Sequence, residues 1–267
     1  MPDLFLHVPK TGGMTTLTAL KWVYGPRWVY PLPKEDDRLD PWFEQNAPGQ
    51  IPSGAVLAGH VTYGVHRRFE RPCRYLTLLR HPLRRFVSHY YHRALFPESR
   101  LGRMSLREFA ESDAPIATAN RQTRFLSGRE PDTAPQEALA AAKAHLRRDH
   151  VAFGVTERFD DSLLYFQQRL DWSRPPFYVR RKVNPDRPPL EALPDNTLAL
   201  LRRRHRLDRA LYRWARPRFE EAARTTIPRL AAKRRRFRRW NRLVQTVAPP
   251  LLWLYRTGRA LLPSGTR

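Results

Sequence analysis

A short apolar run that ends in a proline, a lysine and two glycines constrains the fold of this chain more than any other segment. The run is Leu4–Val8, and the residues after it are Pro9, Lys10, Thr11, Gly12 and Gly13. An apolar run, a tight loop and then an amphipathic segment over Met14–Tyr24 predict a strand, a turn and a helix. The positive end of a helix is therefore expected directly after a strand.

This arrangement predicts a phosphate-binding loop. Backbone N–H groups at a helix N-terminus bind anions, and the Lys10 ammonium adds a positive charge. The G-x-x-x-x-G-K-S/T spacing of ordinary P-loop NTPases is absent, because Lys10 precedes Gly12 and Gly13. We therefore expect a nucleotide site that differs from the common P-loop.

Three later apolar runs predict further strands of a buried parallel sheet. They are Ala55–Ala58, Arg74–Leu79 and Val151–Val155. Predicted helices lie between them, and strands that alternate with helices indicate an α/β fold with a parallel sheet. Residues 25–53 are rich in proline, aspartate and glycine and predict an irregular insertion, whereas residues 198–232 predict a long basic helical region.

Three side chains of suitable chemistry follow the predicted strand ends, namely Lys10, His60 and Arg80. Ligands of open α/β sheets bind at the carboxyl ends of strands, so we expect these residues to share one crevice. Ser88 lies two turns into the helix that follows Arg80, and an arginine with a serine suits a second phosphate. Two separated anion sites at one sheet edge imply a ligand with phosphate at both ends.

The composition indicates an anionic partner or a strongly charged surface. The formal net charge is +24, which attracts nucleic acid, acidic polysaccharide, anionic lipid or phosphorylated cofactors. Solvated surface arginine is the alternative interpretation, and both stay open. Cys73 is the single cysteine, which excludes an intrachain disulfide, and we expect it to be buried. No signal peptide or membrane span is evident in the sequence.

With these motifs the chain resembles the 3′-phosphoadenosine-5′-phosphosulfate (PAPS)-dependent sulfotransferases, particularly the carbohydrate branch that includes the heparan sulfate 2-O- and 6-O-sulfotransferases. Residues 9–13 are similar to that family's 5′-phosphosulfate motif, and residues 80–88 are similar to its 3′-phosphate motif. Further similar segments are residues 59–63, 120–126, 154–159 and 207–212. The resemblance implies a P-loop-like three-layer α/β fold, with a central parallel sheet flanked by helices.

The resemblance also implies sulfuryl transfer from PAPS to a hydroxyl of a glycan or glycoconjugate. Lys10 would contact the oxygen that bridges phosphate and sulfate, and His60 would be the general base for the acceptor hydroxyl. Arg80 and Ser88 would hold the 3′-phosphate. The 5′-phosphate would be held by Lys10, Thr11, Gly12, Gly13, Met14, Thr15 and Thr16. The acceptor cleft would be lined by Arg121, Gln122 and Arg124. The implied product is adenosine 3′,5′-bisphosphate, and no metal is required.

The assignment of the base has rivals within the chain. His66 and His81 are alternative candidates, because a lone histidine is often structural. The 2-O branch has a second histidine two positions before the one that matches His60, and this chain has Ala58 there. The proton-transfer machinery is therefore simpler than in that branch, or is supplied elsewhere.

Two other functions remain open at this point. A P-loop-like small-molecule kinase would need a Mg²⁺-binding acid at a strand end, and no strand end clearly offers one. A non-catalytic polyanion-binding protein is the other alternative. Separately, Arg121, Gln122 and Arg124 could simply face solvent rather than line a cleft. Glu157 and Arg158 predict an ion pair that orders the fold.

The C-terminal region differs from the rest of the chain in its amino-acid composition. Basic residues interleave with aromatic ones in residues 233–240, and Leu251–Tyr255 is apolar, which resembles an interfacial membrane anchor. The alternatives are a helix packed on the domain with its charged face in water, and a polyanion-binding segment. We accordingly predict a sulfotransferase domain over residues 1–225 and a basic, aromatic helical extension over residues 226–267.

The expected partner is a glycan or glycoconjugate acceptor, including an acidic one, and no specific nucleic acid is expected. The absence of an evident signal segment predicts a cytoplasmic bacterial enzyme. Peripheral attachment to the inner face of the membrane through the C-terminal extension is a further expectation.

Overall fold

The computed structural model describes residues 1–33, 41–42, 51–68, 72–93, 102–112, 114, 117–181 and 187–260. Five strands form one sheet: β1 (Asp3–Leu6), β2 (Val29–Pro31), β3 (Val56–Gly59), β4 (Arg74–Leu79) and β5 (Val151–Val155). Their order is β2-β3-β1-β4-β5, and every neighbouring pair is parallel. Every residue of β1, β3 and β5 is buried, so both faces of the sheet are covered. The predicted α/β fold with a central parallel sheet is confirmed.

Helices connect and cover these strands. They are α1 (Gly13–Tyr24), α2 (Pro82–Arg93), α3 (Leu106–Glu111), α4 (Arg121–Ser127), α5 (Pro135–Leu146), α6 (Phe159–Arg169), α7 (Asp195–Arg204), α8 (Arg206–Thr226) and α9 (Leu230–Ala260). α3 begins with a capping box, in which the Ser105 hydroxyl accepts from the Glu108 N–H while the Glu108 carboxylate accepts from the Ser105 N–H. Cys73 is buried as expected.

The strand order brings three loops to one edge of the sheet. β1 lies between β3 and β4, and Leu6 is level with Gly59 on one side and Thr77 on the other. The chain leaves β1 for one half of the sheet and later crosses to the other half, which is the switch-point arrangement that opens a crevice at the strand ends. The loops after β1, β3 and β4 therefore start side by side.

The expectation that residues 25–53 are wholly irregular is wrong for their described part. A 3₁₀ turn over Pro26–Trp28 leads into β2, the edge strand next to β3. This strand has three residues, none of them buried, and it ends at a proline. An edge strand tolerates proline because one side donates no ladder hydrogen bonds, so its sequence carries little strand signal. Residues 34–40 and 43–50 lie outside the described residues.

The predicted basic helical region is three helices. α7 begins at Asp195, earlier than expected, and the chain breaks at His205 and again over residues 227–229, where Arg229 has a φ of 52°. The predicted division at residue 226 lies at the second break. Beyond it, α9 packs on the body of the protein through Phe237 and Asn241, which are 5% and 2% exposed.

Candidate active site

The loop between β1 and α1 is a tight turn held by hydrogen bonds to its own backbone. Lys10 and Gly12 have φ values of 70° and 93°, the left-handed region. The Thr11 hydroxyl donates to the Val8 carbonyl at 2.8 Å, and the Gly12 carbonyl accepts from the N–H groups of Thr15 and Thr16 at 3.0 Å. The loop is thereby fixed before the helix begins.

The N-terminus of α1 is open to an anion. Its first turn contains no acidic residue, and Gly12 at the N-cap position has no side chain to accept from the first N–H groups. The N–H groups of Gly13 and Met14 precede the first intrahelical hydrogen bonds, and the helix dipole adds partial positive charge there. The predicted 5′-phosphate residues Thr11, Gly12, Gly13, Met14, Thr15 and Thr16 all belong to this loop and turn.

Gly13 is required by the histidine that lies beneath it. A Cβ at Gly13 would lie 1.7 Å from Nε2 of His7, a distance that no side chain can occupy. His7 is itself buried, so it has little room to move.

We expect the Gly13→Ala variant to be destabilised by about 1–3 kcal/mol, because the added methyl overpacks the buried His7 ring. A lowered Tm in thermal unfolding would show this. The Met14→Ala variant is the matched control, since Met14 is the next residue of the same helix and is 40% exposed. The double variant with His7→Ala should recover part of the loss, and an unchanged Tm in Gly13→Ala would contradict the assignment.

His60 is oriented by the backbone of β1. Its Nδ1 lies 2.7 Å from the His7 carbonyl oxygen. A carbonyl only accepts, so Nδ1 carries a proton, and in the neutral form of the ring Nε2 is then the unprotonated nitrogen. The two imidazoles lie against each other, with centroids 4.2 Å apart. Burial, the charge of His60 and the charge of Lys10 lower the pKa of His7 to about 3, so the His7 ring stays neutral.

Arg80 joins the loop after β4 to the loop after β1. Its Nη1 donates to the Lys10 carbonyl at 2.9 Å. Burial and then the nearby Arg187 lower the pKa of Arg80 to about 10, an effect that Arg84 adds to and Glu157 opposes. The three residues predicted to share a crevice are thus brought together, with His60 and Arg80 each bonded to the backbone of β1 or its loop.

The side-chain amide of Gln122 forms two hydrogen bonds with the backbone of Arg80. Its side-chain oxygen accepts from the Arg80 N–H at 2.8 Å, and its Nε2 donates to the Arg80 carbonyl at 2.9 Å. Gln122 is fully buried, so in this arrangement its amide is used within the protein rather than toward an acceptor. It positions Arg80.

The buried Asp208 carboxylate positions Gln122 in turn. The Asp208 carboxylate accepts from the N–H groups of Gln122 and Thr123, at the start of α4. Arg85 is 1% exposed, and burial lowers its pKa while the Asp208 charge opposes that shift. Burial raises the pKa of Asp208, and Arg85 and the hydrogen bonds from Thr123 oppose it. The roles of these two buried charged residues were not predicted from the sequence.

The other predicted site residues, Ser88, Arg121 and Arg124, lie on α2 and α4. Ser88 is half-buried on α2. The Arg121 guanidinium lies 5.6 Å from the centre of the Phe125 ring, and Arg124 forms an ion pair with Glu130 at 2.6 Å. Arg124 is half-buried, and the carboxylate of Glu130 offsets part of its positive charge.

Two residues after β5 organise the crevice in a way that differs from the expected Glu157–Arg158 ion pair. The Glu157 carboxylate accepts from the His81 N–H and from the Tyr212 hydroxyl, while Arg158 pairs with Asp161. The expectation fails because consecutive side chains at the start of a helix point in different directions. The hydroxyl of Thr156, just before them, shares its proton between the carbonyls of Thr11 and Leu79, at 2.7 and 3.0 Å.

A segment that we call the strap, residues 177–181, crosses the beginning of α1. The Thr15 hydroxyl accepts from the Arg181 N–H at 3.2 Å, and Thr18 exchanges hydrogen bonds with the backbone of Val179. At the other end of the strap, the Tyr178 N–H donates to the Asn241 side chain at 2.8 Å. The strap therefore connects α9 to the helix that carries the loop.

The described residues contain no group of three or more His, Cys, Asp or Glu side chains arranged to hold a metal ion. None of the helices, over the same residues, is long and apolar enough to cross a membrane.

These features define an α/β protein with cationic side chains gathered at the switch point of a parallel sheet. The model of the sulfotransferase family matches residues 4–155, which is more than half of the chain. The chain therefore belongs to the sulfotransferase family, and its predicted membership of the PAPS-dependent sulfotransferases is confirmed. It is an enzyme of the class that transfers sulfuryl groups.

Solved structures of sulfotransferases are similar to this chain at low identity. A sulfotransferase from Alicyclobacillus acidocaldarius is 17% identical, covers 81% of this chain and 96% of its own, and has a TM-score of 0.49. Mouse sulfotransferase SULT7A1, complexed with PAP, is 16% identical, covers 76% of this chain and 62% of its own, and has a TM-score of 0.40. Comparison with curated proteins gives no match.

Proposed function

We propose that this protein transfers the sulfuryl group of PAPS to a hydroxyl of a glycan or glycoconjugate. One observation carries the proposal: His60 is bonded to the His7 carbonyl and Arg80 to the Lys10 carbonyl, so a base and two cations meet at one loop. A base, a positive charge for the leaving group and a second anion site are the parts that this reaction needs.

The residues fit a nucleotide with phosphate at both ends. The uncapped start of α1 suits a 5′-phosphate, and Arg80 with Ser88 suits a 3′-phosphate. The lowered pKa of Arg80 means that its charge is costly in the free protein. A bound phosphate would offset that cost.

When bound, PAPS supplies an activated sulfuryl group with a phosphate as its leaving group. Lys10 would hold positive charge where the leaving oxygen becomes negative, and the N–H groups of Gly13 and Met14 would add to it. In this proposal no metal is required, because the chain itself supplies the positive charge.

His60 would take the proton of the acceptor hydroxyl at Nε2. The bond from Nδ1 to the His7 carbonyl fixes the tautomer in which Nε2 is unprotonated, and it stabilises the imidazolium that then forms. This supports His60 over His66. The His66 Nδ1 is bonded to the Tyr75 hydroxyl at 2.8 Å, and the ring lies among Tyr63, Tyr75 and His150.

Arg80→Ala is expected to weaken the binding of adenosine 3′,5′-bisphosphate by about 10- to 150-fold, the value of a hydrogen bond to a charged group. Isothermal titration calorimetry would measure the affinity. Adenosine 5′-phosphate, which lacks the 3′-phosphate, should bind the variant and the unchanged protein within a few-fold of each other.

Arg84→Ala is the matched control for Arg80, because it removes the same charge from an exposed residue nearby. An equal loss of affinity in Arg80→Ala and Arg84→Ala would mean that Arg80 acts only through long-range electrostatic attraction. If Arg80→Ala lost affinity equally for adenosine 3′,5′-bisphosphate and adenosine 5′-phosphate, Arg80 would not be the residue that binds the 3′-phosphate.

The donor and acceptor are tested separately. In thermal shift, adenosine 3′,5′-bisphosphate should stabilise the protein more than ATP with Mg²⁺ or heparin does. Preferential stabilisation by ATP with Mg²⁺ would favour a kinase instead, and by heparin a polyanion-binding protein. Neutral and acidic glycans and glycoconjugates incubated with labelled PAPS would then identify the acceptor class.

A further inference from the structure

Half of the net positive charge of the chain lies in its last 46 residues. Residues 222–267 contain 12 lysines and arginines and no acidic residue, against a formal net charge of +24 for the whole protein. Most of these cations belong to α9, which spans Leu230–Ala260.

The cations of α9 divide into two sets. Arg234 and Arg238 face the body and form ion pairs with Asp161 and Asp160. A second set is exposed, and within the described ranges its members make no ion pair: Lys233, Arg235, Arg236, Arg239 and Arg242. The first set holds the helix in place, and the second leaves its outer surface strongly positive.

Large apolar side chains are exposed on the same outer surface. Trp240, Leu243 and Val247 are 52%, 54% and 55% exposed. Their spacing of three and then four residues puts them in one stripe along the helix. A tryptophan and two aliphatic side chains beside free arginines are costly in water unless a partner covers them.

The stripe begins where the protein body ends. Asn241 is the last buried residue of α9 among those up to residue 247, although the helix continues to Ala260. The sequence of that continuation adds Leu251, Leu252, Trp253, Leu254 and Tyr255. The apolar character of the stripe is therefore continued along the chain.

From this juxtaposition we propose that α9 docks the protein on an anionic bilayer surface, with the stripe of Trp240, Leu243 and Val247 inserted between headgroups and the exposed cations on acidic lipids. Charge complementarity selects the partner class. Cations alone would suit any polyanion, but exposed tryptophan, leucine and valine gain free energy only from an apolar phase. In this proposal α9 lies in the plane of the bilayer surface, because its apolar stripe runs along the helix.

Docking would also orient the active site. Phe237 stacks on Phe177 of the strap with ring centroids 5.6 Å apart, and Asn241 accepts from Tyr178. The strap is bonded in turn to Thr15 and Thr18 of α1. The crevice is thus held at a fixed position relative to the docking helix.

Vesicle flotation of the full chain tests the proposal. We expect the protein to float with phosphatidylcholine vesicles that contain phosphatidylglycerol. With vesicles of phosphatidylcholine alone it should remain in the bottom fraction of the gradient. The triple variant Trp240→Ser, Leu243→Ser, Val247→Ser should lose at least about tenfold in partition coefficient at unchanged net charge. The variant Arg235→Gln, Arg236→Gln, Arg239→Gln, Arg242→Gln should lose at least as much.

A matched variant separates the stripe from general charge. Arg202→Gln, Arg203→Gln, Arg206→Gln, Arg213→Gln removes the same charge from exposed positions on α7 and α8 and should float like the unchanged protein. An unchanged Tm would show that each variant is folded. Undiminished flotation of the serine variant, or an equal loss in both arginine variants, would overturn the proposal and leave binding to polyanions in general.

Discussion

Replacement of His60 by alanine is expected to slow sulfuryl transfer by about 10²–10⁴-fold, the usual contribution of a positioned general base. A sugar hydroxyl holds its proton far above neutral pH, so transfer without a base must pass through a poorly nucleophilic oxygen. Binding of adenosine 3′,5′-bisphosphate should stay within a few-fold, because His60 is proposed to act on the acceptor. Single-turnover transfer of labelled sulfate and calorimetry of the product would measure the two quantities.

His66→Ala is the control for His60. It removes another half-buried imidazole, one whose Nδ1 is bonded to Tyr75 rather than to the β1 backbone. Its transfer rate should be close to that of the unchanged protein. If the His60→Ala enzyme transfers sulfate at full rate, the base must be sought elsewhere.

Replacement of Lys10 by alanine is expected to lower kcat by about 10²–10³-fold, comparable to the loss of one preorganised donor at a developing negative charge. The interaction strengthens as the leaving oxygen gains charge, so kcat should fall much more than the affinity for adenosine 3′,5′-bisphosphate. Alanine and lysine both carry a Cβ, so the left-handed backbone at this position gains no new strain. Saturating-donor kinetics with calorimetry would separate the two effects.

Lys21→Ala provides the matched control, since Lys21 is an exposed lysine in the last turn of the same helix. It changes the net charge equally but lies at the opposite end of α1. A comparable drop in kcat from both variants would mean that the overall field, rather than Lys10, assists departure of the nucleotide. A fall in affinity as large as the fall in kcat would assign Lys10 to ground-state binding only.

The sheet was the most predictable part of the fold. β4 and β5 have the bounds expected from sequence, because strands buried on both faces are continuous apolar runs. β2 gave no such signal, since it is a short edge strand that is only partly buried. The convergence of three loops was also predictable, because residues that follow adjacent parallel strands must share an edge.

The contacts that organise the site were not predictable from local sequence. His7 meets His60 only because β1 and β3 pair with Leu6 level with Gly59, and register is a long-range property. A search for polar residues at paired strand ends would have found it. Gln122 was expected at the acceptor, but the position of α4 turns its amide to the backbone of Arg80. The catalytic and binding roles of the site residues stay predictions.

The strap has a consequence for how the two ends of the chain communicate. Five residues, 177–181, are shared between the first turns of α1 and the seat formed by Phe237 and Asn241 on α9. A ligand that strengthened the contacts of the strap with both α1 and α9 would favour the seating of α9, and fixing α9 would then favour that ligand by the same factor. Occupancy of the crevice and attachment of the C-terminal helix would then rise and fall together, as two readouts of a single equilibrium.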